Sequence, residues 1–323
     1  MYFFFFEIMV YNQIAVIIPV YNAAPYISEC LESLIAQEYS NWTAYCVDDG
    51  STDESPRILD DYAKLESKIK VFHKSNGGAS SARNYALDNL CNEDWVSFVD
   101  IDDYVSPFFF KTIIDAVKDE SDIDYVRLFC THTPCRYAHY LKSGWPEVNI
   151  NSIAKTIEDR NEYFFKGNIG GYTHSLFVKS EIIKNNKLRF PEDMTLMEDQ
   201  LFSIMCALNS HKVLLLNKPN NYFYYSGNTS SITKSTKDSR SDIIKCINRV
   251  YGLLADRKEY VLIDKFFYKN WLGGKWDSFI TNSLNIRHKY TGEPLSNVIR
   301  IRYRKFPLKL MIKICLAKMM RLI

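Results

Sequence analysis

The sequence predicts an α/β protein: a Rossmann-like, mostly parallel sheet with helices on both faces, followed by a helical C-terminal extension. Three observations predict it. Strand and helix signals alternate over the first 130 residues, the pattern of a doubly wound sheet. The first strand signal, IAVIIPV (Ile14 to Val20), is a continuous apolar, β-branched run, as expected of a strand buried on both faces. The polar motifs PVYN, DDGSTDES, HKSNGGASSARN and DIDD each follow a strand signal, and ligands of such sheets bind at the carboxyl ends of strands.

The elements follow in order. Ile27, Leu31, Leu34 and Ile35 recur at helical spacing, giving a helix over Ser28 to Ala36. Thr43 to Val47 is a second strand. Thr52 to Leu65 is a helix whose acid-rich start suits the helix dipole. Ile69 to His73 is a third strand, and Ser80 to Leu90 a helix with Ser80 as its N-cap. Trp95 to Val99 is the fourth strand, Phe108 to Val117 a helix, and Asp124 to Phe129 another strand. The signals are then mixed to about residue 235. HTPCRYAHYLKSGWPEV reads as loops, and Tyr172 to Leu208 closes in a strong helix. Helical patterns run on beyond Asp238, without repeats or a low-complexity linker.

Composition narrows the class. A chain of 323 residues, 47% hydrophobic and 24% charged, can bury one large core or two. Aromatic residues at 15% suit a sugar- or base-binding cleft and equally a well-filled core. The eight cysteines are scattered, without a CxxC pair, and read as reduced core thiols of a cytoplasmic protein. The opening MYFFFFEIMV is about ten residues long and carries Glu7, too short for a membrane span. It lacks the basic start and cleavage site of a signal peptide. It is expected to be an edge segment or an upstream extension, since Met9 also serves as a start.

The net charge of +2 conceals an asymmetry. From Leu284 onward there are ten Lys or Arg and one acid, Glu293, against 30 basic and 37 acidic residues before it. On a helical wheel from Pro307, Leu308, Met311, Ile312, Cys315, Leu316, Met319, Leu322 and Ile323 share one arc, with Lys309, Lys313, Lys318 and Arg321 off it. Such a helix either lies on an anionic membrane surface or docks on the protein's own core. Nucleic acid is not an expected partner: the body is acidic and lacks the aromatic and glycine pattern of RNA readers.

The strand-end motifs carry the chemistry. Asp49, beside Asp48 and the turn-forming Gly50, either caps the next helix or accepts two hydrogen bonds, for example from a uracil N–H or a ribose hydroxyl. NGGASSAR leaves backbone N–H groups free near a helix start, where phosphate is favoured, with Arg83 able to fork onto its oxygens. Asp100-Ile101-Asp102 has the spacing that puts both carboxylates on one side of an extended chain. Two oxygens on one face suit a hard cation, Mg²⁺ or Mn²⁺, whose charge would relieve their repulsion; the alternative is an acidic surface turn. Glu198 and Asp199 enter an apolar helix, either as dipole-favoured charges or as a base for a hydroxyl proton.

These blocks in this order (VIIPVYNAAPYISECLESLIAQ, VDDGSTDES, NGGASSARNYAL, FVDIDD, then LRFPEDMTLMEDQLF and YYSGNTSSIT) resemble the family-two glycosyltransferases of GT-A fold found in bacteria. The likeness is strong over residues 14 to 106, recognisable over 172 to 235, and ends near 240. It implies an N-terminal extension (1–13), a GT-A domain (14–235) with a nucleotide-sugar half (14–130) and an acceptor half (131–235), and a helical C-terminal region (236–323).

The resemblance also implies an inverting transfer of a sugar from a nucleotide donor, usually UDP-linked, to a hydroxyl of a glycan or lipid-linked acceptor. The setting would be surface polysaccharide or lipopolysaccharide synthesis, in the cytoplasm or at the inner face of the plasma membrane. By position, Pro19, Tyr21 and Asn22 would line the base pocket, Asp49 would bind uracil, and Arg83 would approach the diphosphate. Asp100 would sit near the ribose, Asp102 would hold Mn²⁺ or Mg²⁺, and Asp199, with Glu198 beside it, would be the base. Where members often carry Trp-Asn-Lys, this chain has YTHSLF, which makes His174 an acceptor or phosphate contact, or a plain loop residue. The rival readings are a sugar nucleotidyltransferase and an inactive nucleotide-sugar-binding scaffold.

Overall fold

Side chains along a strand alternate between its faces, and here both faces are covered. In the computed structural model, Ile14, Val16, Ile18 and Val20 of β1 (Ile14–Val20) enter one hydrophobic layer, while Ala15 and Ile17 enter the other. In β2 (Trp42–Asp48), Ala44 and Cys46 join the first layer and Tyr45 and Val47 the second. The first layer packs on α1 (Ala24–Ile35), α2 (Ser55–Leu65) and α4 (Phe109–Val117). The second packs on α3 (Ala79–Asp88), α6 (Ser180–Asn185) and α7 (Glu198–Asn209). The structure describes residues 12–145 except 91 and 121, then 154–159, 173–217 and 221–228, and further on 242, 245–246, 248–250 and 252–253. The expectations for the N-terminal extension, for Cys91 and Cys315, and for the basic helix from Pro307 lie outside the described residues.

The main sheet has eight strands. β3 (Ile69–His73), β2, β1 and β4 (Trp95–Phe98) stand side by side in that order, all parallel. β9 (Leu176–Lys179) follows, antiparallel to β4 and to β6 (Ile123–Leu128), so β6 runs parallel to β4. β10 (Lys212–Asn217) and β8 (Ala154–Asp159) complete it. The chain moves outward from β1 to β3 and returns to place β4 on β1's other side. That reversal opens a crevice at the carboxyl ends of β1 and β4, where ligands bind in this architecture. A second, small sheet is made by β5 (Tyr104–Val105), β11 (Tyr222–Tyr225) and β7 (Thr131–Thr133), in that order.

The sheet class is as the sequence predicts; several boundaries differ for local reasons. α1 begins four residues early, because Pro25 is pre-organised for a first helical turn. α2 begins later, at Ser55: Asp53 stands before the helix and accepts the Ser55 backbone N–H at 2.9 Å. Ser80 is not an N-cap; Gly78 occupies that position, at φ 87°, and Ser80 lies inside the first turn. Residues read as loops include α5 (Tyr137–Ser143), too short to show a period, whose Tyr137 and Tyr140 pack with Tyr104, Trp145 and Phe223. Of the six described cysteines, all free, Cys30, Cys46, Cys206 and Cys246 are buried and Cys130 and Cys135 are partly so. Burial pushes the thiols of Cys46 and Cys246 up to about 12, which keeps them inert. Among the described residues, no helix is long and apolar enough to cross a membrane.

β9 joins the two halves of the sheet, and its fully buried Phe177 contacts Phe109 and Phe110. Phe177→Ala is expected to destabilise the fold by about 3–5 kcal/mol. Leu65→Ala, at a residue 83% exposed, is expected to stay within about 0.5 kcal/mol of wild type. Urea unfolding of both variants checks the contrast.

Candidate active site

At the end of β2, adjacent carboxylates take different work. Asp48 accepts the Ser51 N–H at 3.0 Å and contacts His73 Nδ1 at 3.0 Å, which fixes the turn. Gly50 makes that turn possible: its φ is 73°, and a Cβ there would lie 2.9 Å from the Asn76 backbone nitrogen. Asp49 does not cap α2. Its buried carboxylate accepts the N–H groups of Gly77, at 3.0 and 3.1 Å, and Gly78, at 2.7 Å, and binds Lys74 Nζ at 2.6 Å. It thus fastens the glycine loop that starts α3. Asn22, at φ 46°, ties the end of β1 to the same turn: its Oδ1 accepts the Thr52 N–H at 2.7 Å, and its own N–H donates to Ser51 Oγ at 2.9 Å. Pro19 is half-buried at the end of β1, and Tyr21 is 53% exposed beside it.

The chain after β4 is not extended as the spacing of Asp100 and Asp102 predicts. Residues 100–103 form a turn, closed by the Asp103 N–H donating to the Asp100 carbonyl at 2.9 Å. The turn gathers Asp100, Asp102 and Asp103 closely enough that each carboxylate acts on its neighbours. Asp103 is 1% exposed and accepts the Tyr222 hydroxyl at 2.7 Å and the Tyr225 N–H at 2.9 Å. Asp102 is half-buried and accepts Asn228 Nδ2 at 2.7 Å. Burial, then the neighbouring Asp100, raises the pKa of both Asp102 and Asp103.

Two cations compensate this cluster from inside the protein. His174 is not a loop residue: it is buried in a short 3₁₀ turn (Thr173–Ser175), stacked on Tyr222 at 4.9 Å, with Nδ1 3.7 Å from Asp100 Oδ2. Burial opposes its charge, but Asp100 outweighs that, and the imidazole is pushed up to about 9. Arg83 is 6% exposed, in the second turn of α3. Its Nη2 donates to Asp100 Oδ1 at 3.0 Å, its Nη1 lies 3.6 Å from Glu198 Oε1, and its plane sits over Phe190 at 5.3 Å. Burial penalises the charge of Asp100, yet His174 and Arg83 together hold its carboxyl well below the usual range. Among the described residues, Nε and Nη1 of Arg83 have no hydrogen-bond acceptor.

Glu198 and Asp199 open α7, and the backbone delivers them under strain. Met197, just before the helix, holds φ 68° and ψ 5°, a left-handed conformation that costs a non-glycine residue about 1–3 kcal/mol. Burial, then Asp199, pushes the Glu198 carboxyl up to about 7. Burial raises Asp199 as well, against the pull of Arg83. Arg83 therefore links the turn after β4 to the acid pair on α7.

Asp100, Asp103 and His174 hold ligand-type atoms within 4.8 Å of one another. A protonated His174 has no lone pair to offer a metal, and the oxygens of Asp103 are already hydrogen-bonded. Asp102 differs: among the described residues its carboxylate accepts a hydrogen bond from the Asn228 side chain, and burial, then Asp100, raises its pKa. Asp103 belongs to the acidic cluster DIDD without a role assigned to it, and Tyr222, Asn228 and Lys74 are site residues that the motif reading did not single out, although Lys74 lies in HKSNGGASSARN and Asn228 in YYSGNTSSIT.

The sheet order and the crevice-lining carboxylates define a GT-A fold. Crystallised Staphylococcus aureus TarS 1-349 in complex with UDP-GlcNAc superposes with a TM-score of 0.66 at 21% identity, covering 86% of this chain and 80% of that one. The mannosyltransferase PcManGT of Pyrobaculum calidifontis, in complex with GDP-Man and Mn²⁺, superposes at 0.50 with 16% identity, covering 96% and 81%. In sequence, the chain is 28% identical to EpsH of Bacillus subtilis over 228 residues, 68% of this chain and 62% of EpsH. It is 29% identical to TarS of S. aureus, a poly(ribitol-phosphate) beta-N-acetylglucosaminyltransferase, over 65% of this chain and 35% of TarS. The chain thus spans less than two thirds of the length of these relatives. The model of glycosyl transferase family 2 matches residues 15–180, and the chain belongs to that family.

Tyr222 is a structural hub of the site, donating to Asp103 and accepting the Asp100 N–H at 3.2 Å. Tyr222→Phe leaves both groups short of a partner and is expected to cost about 1–3 kcal/mol. Thermal unfolding measures it; an unchanged midpoint would show that the hydroxyl is dispensable.

Proposed function

We propose that this chain is a metal-dependent inverting glycosyltransferase. It would move a sugar from a nucleotide donor, UDP-linked, to a hydroxyl of a glycan or lipid-linked acceptor in cell-surface polymer synthesis. Family membership supports the reaction class. TarS, named for transfer to a ribitol-phosphate polymer and crystallised with UDP-GlcNAc, supports the donor and acceptor classes. The observation that carries the reading is Arg83: a buried guanidinium with unpaired N–H groups, set between the strand-end acids and the acid pair of α7.

In this reading the base lies by Pro19 and Tyr21, with Asn22 holding the turn behind it. Asp49 offers the base N–H the lone pair that Gly77, Gly78 and Lys74 leave over. Asp100 takes the ribose side. The free N–H groups of Arg83 meet the diphosphate. Asp102 would hold Mn²⁺ or Mg²⁺, which when bound supplies positive charge to the departing diphosphate. His174, buried against Asp100, orients that carboxylate and does not meet the acceptor. Asp199, with Glu198 beside it, takes the proton from the acceptor hydroxyl as its oxygen bonds to the anomeric carbon. The carbon–diphosphate bond breaks on the opposite face, so configuration inverts and the nucleoside diphosphate leaves with the bonding pair. A cytoplasmic location suits reduced thiols and a nucleotide-sugar donor.

The test is a panel of UDP-sugars with Mn²⁺, following UDP release. One donor is expected to be turned over, EDTA to abolish turnover, and Asp199→Asn to slow it about 10²–10⁴-fold. EDTA-resistant turnover would remove the cation, and a fully active Asp199→Asn the base.

The pH profile gives a second check. A base must be ionised to accept a proton; burial raises Asp199 and pushes its neighbour Glu198 up to about 7. We expect kcat/KM to fall on the acid side of this raised range, by up to about tenfold per pH unit, and to level off above it. A flat profile between pH 5.5 and 8.5 would remove the base role.

A further inference from the structure

The loop that delivers the acid pair, which like the pair lies beyond the residues 15–180 matched to the family, is anchored by a later segment of the chain. Residues 193–197 run into α7. Asp242, 9% exposed, accepts the Thr195 N–H at 2.9 Å, the Thr195 hydroxyl at 3.0 Å and the Leu196 N–H at 3.1 Å, all on one oxygen. Arg249 grips the same loop at its start, donating Nη2 to both oxygens of Asp193, at 2.8 and 2.9 Å. The described residues of 242–253 are helical. Cys246 and Val250, fully buried, enter the same core layer as Leu201, Phe202 and Ala207 of α7. Anchor and core contacts lie on either side of the strained Met197.

We infer that Asp242 is a positioning residue for the reaction: it holds the 193–197 loop so that Asp199 meets the acceptor hydroxyl. The geometry supplies the reason. Leu196 precedes the left-handed Met197, and a residue in that conformation persists only where its surroundings over-determine it. Three hydrogen bonds to one buried oxygen fix the two residues before it. Released, Met197 can relax toward ordinary backbone angles, which swings the first turn of α7 and its two acids. A displacement of about 1 Å at a catalytic group can slow a reaction about 10²-fold. The nucleotide side of the crevice keeps Asp49 and the Arg83–Asp100 pair, and loses only the 3.6 Å ion pair of Arg83 with Glu198. The segment around Asp242, beyond α7, therefore takes part in positioning the base.

This inference rests on the base role proposed for Asp199, and the experiment separates the two. In the full chain, Asp242→Ala is expected to lower kcat for UDP release about 10- to 100-fold, with the Kd for UDP within about twofold of wild type. Asp242→Asn, which keeps an acceptor oxygen in place, is expected to recover most of kcat. Hydrogen exchange at the Thr195 and Leu196 amides is expected to accelerate in Asp242→Ala and stay near wild type in Asp242→Asn. Should Asp242→Ala fail to fold, Thr195→Val removes only the hydroxyl donor and is expected to lower kcat severalfold at constant UDP affinity. Full activity in Asp242→Ala while Asp199→Asn is inactive overturns the positioning role alone. Full activity in Asp199→Asn overturns the base role and this inference with it. A parallel loss of UDP affinity and kcat in Asp242→Ala would mark general structural damage and overturn it too.

Discussion

Arg83 is the constraint on which the crevice depends. An arginine that is 6% exposed is tolerable only where carboxylates are brought to it, and here they come from two distant parts of the chain. Asp100 arrives on the turn after β4, and Glu198 on the first turn of α7. Neither acid would be comfortable in that position alone. The side chain has to be arginine: one planar fork reaches both acids while its face rests on Phe190, which a lysine's point charge cannot do.

The charge ledger of the site remains unbalanced. Five carboxylates, those of Asp100, Asp102, Asp103, Glu198 and Asp199, face two internal cations, Arg83 and His174. Burial first, and then this mutual repulsion, raises the pKa of Asp102, Asp103 and Glu198. The Tyr222 hydroxyl and the Tyr225 N–H stabilise the most buried acid, which explains why a small second sheet lies over this corner.

Sequence reasoning read the parallel half of the fold well, because strands buried on both faces leave continuous apolar runs such as IAVIIPV. The strand-end motifs also led to Asp49, Arg83 and Asp100, which the fold does link: Asp49 fastens the loop at the head of α3, and α3 carries Arg83 to Asp100. It failed where local spacing misleads. DIDD reads as an alternating extended segment, but a hydrogen bond from Asp103 to Asp100 makes it a turn. For His174 the sequence leaves an acceptor or phosphate contact and a plain loop residue both open, because nothing nearby in sequence announces Asp100, 74 positions earlier. Asp242 has no motif at all; its role exists only because the chain returns to the 193–197 loop.

The position of β9 bears on how the molecule is made. Its four residues, near position 176, fill the gap between β4 and β6, which are complete by residue 128. During synthesis the N-terminal strands can pair as they emerge, but the flank of β4 opposite β1 has no native neighbour until some fifty further residues have left the ribosome. An unpaired, apolar strand flank invites contact with other chains. β9 closes that open edge and unites the two halves of the sheet.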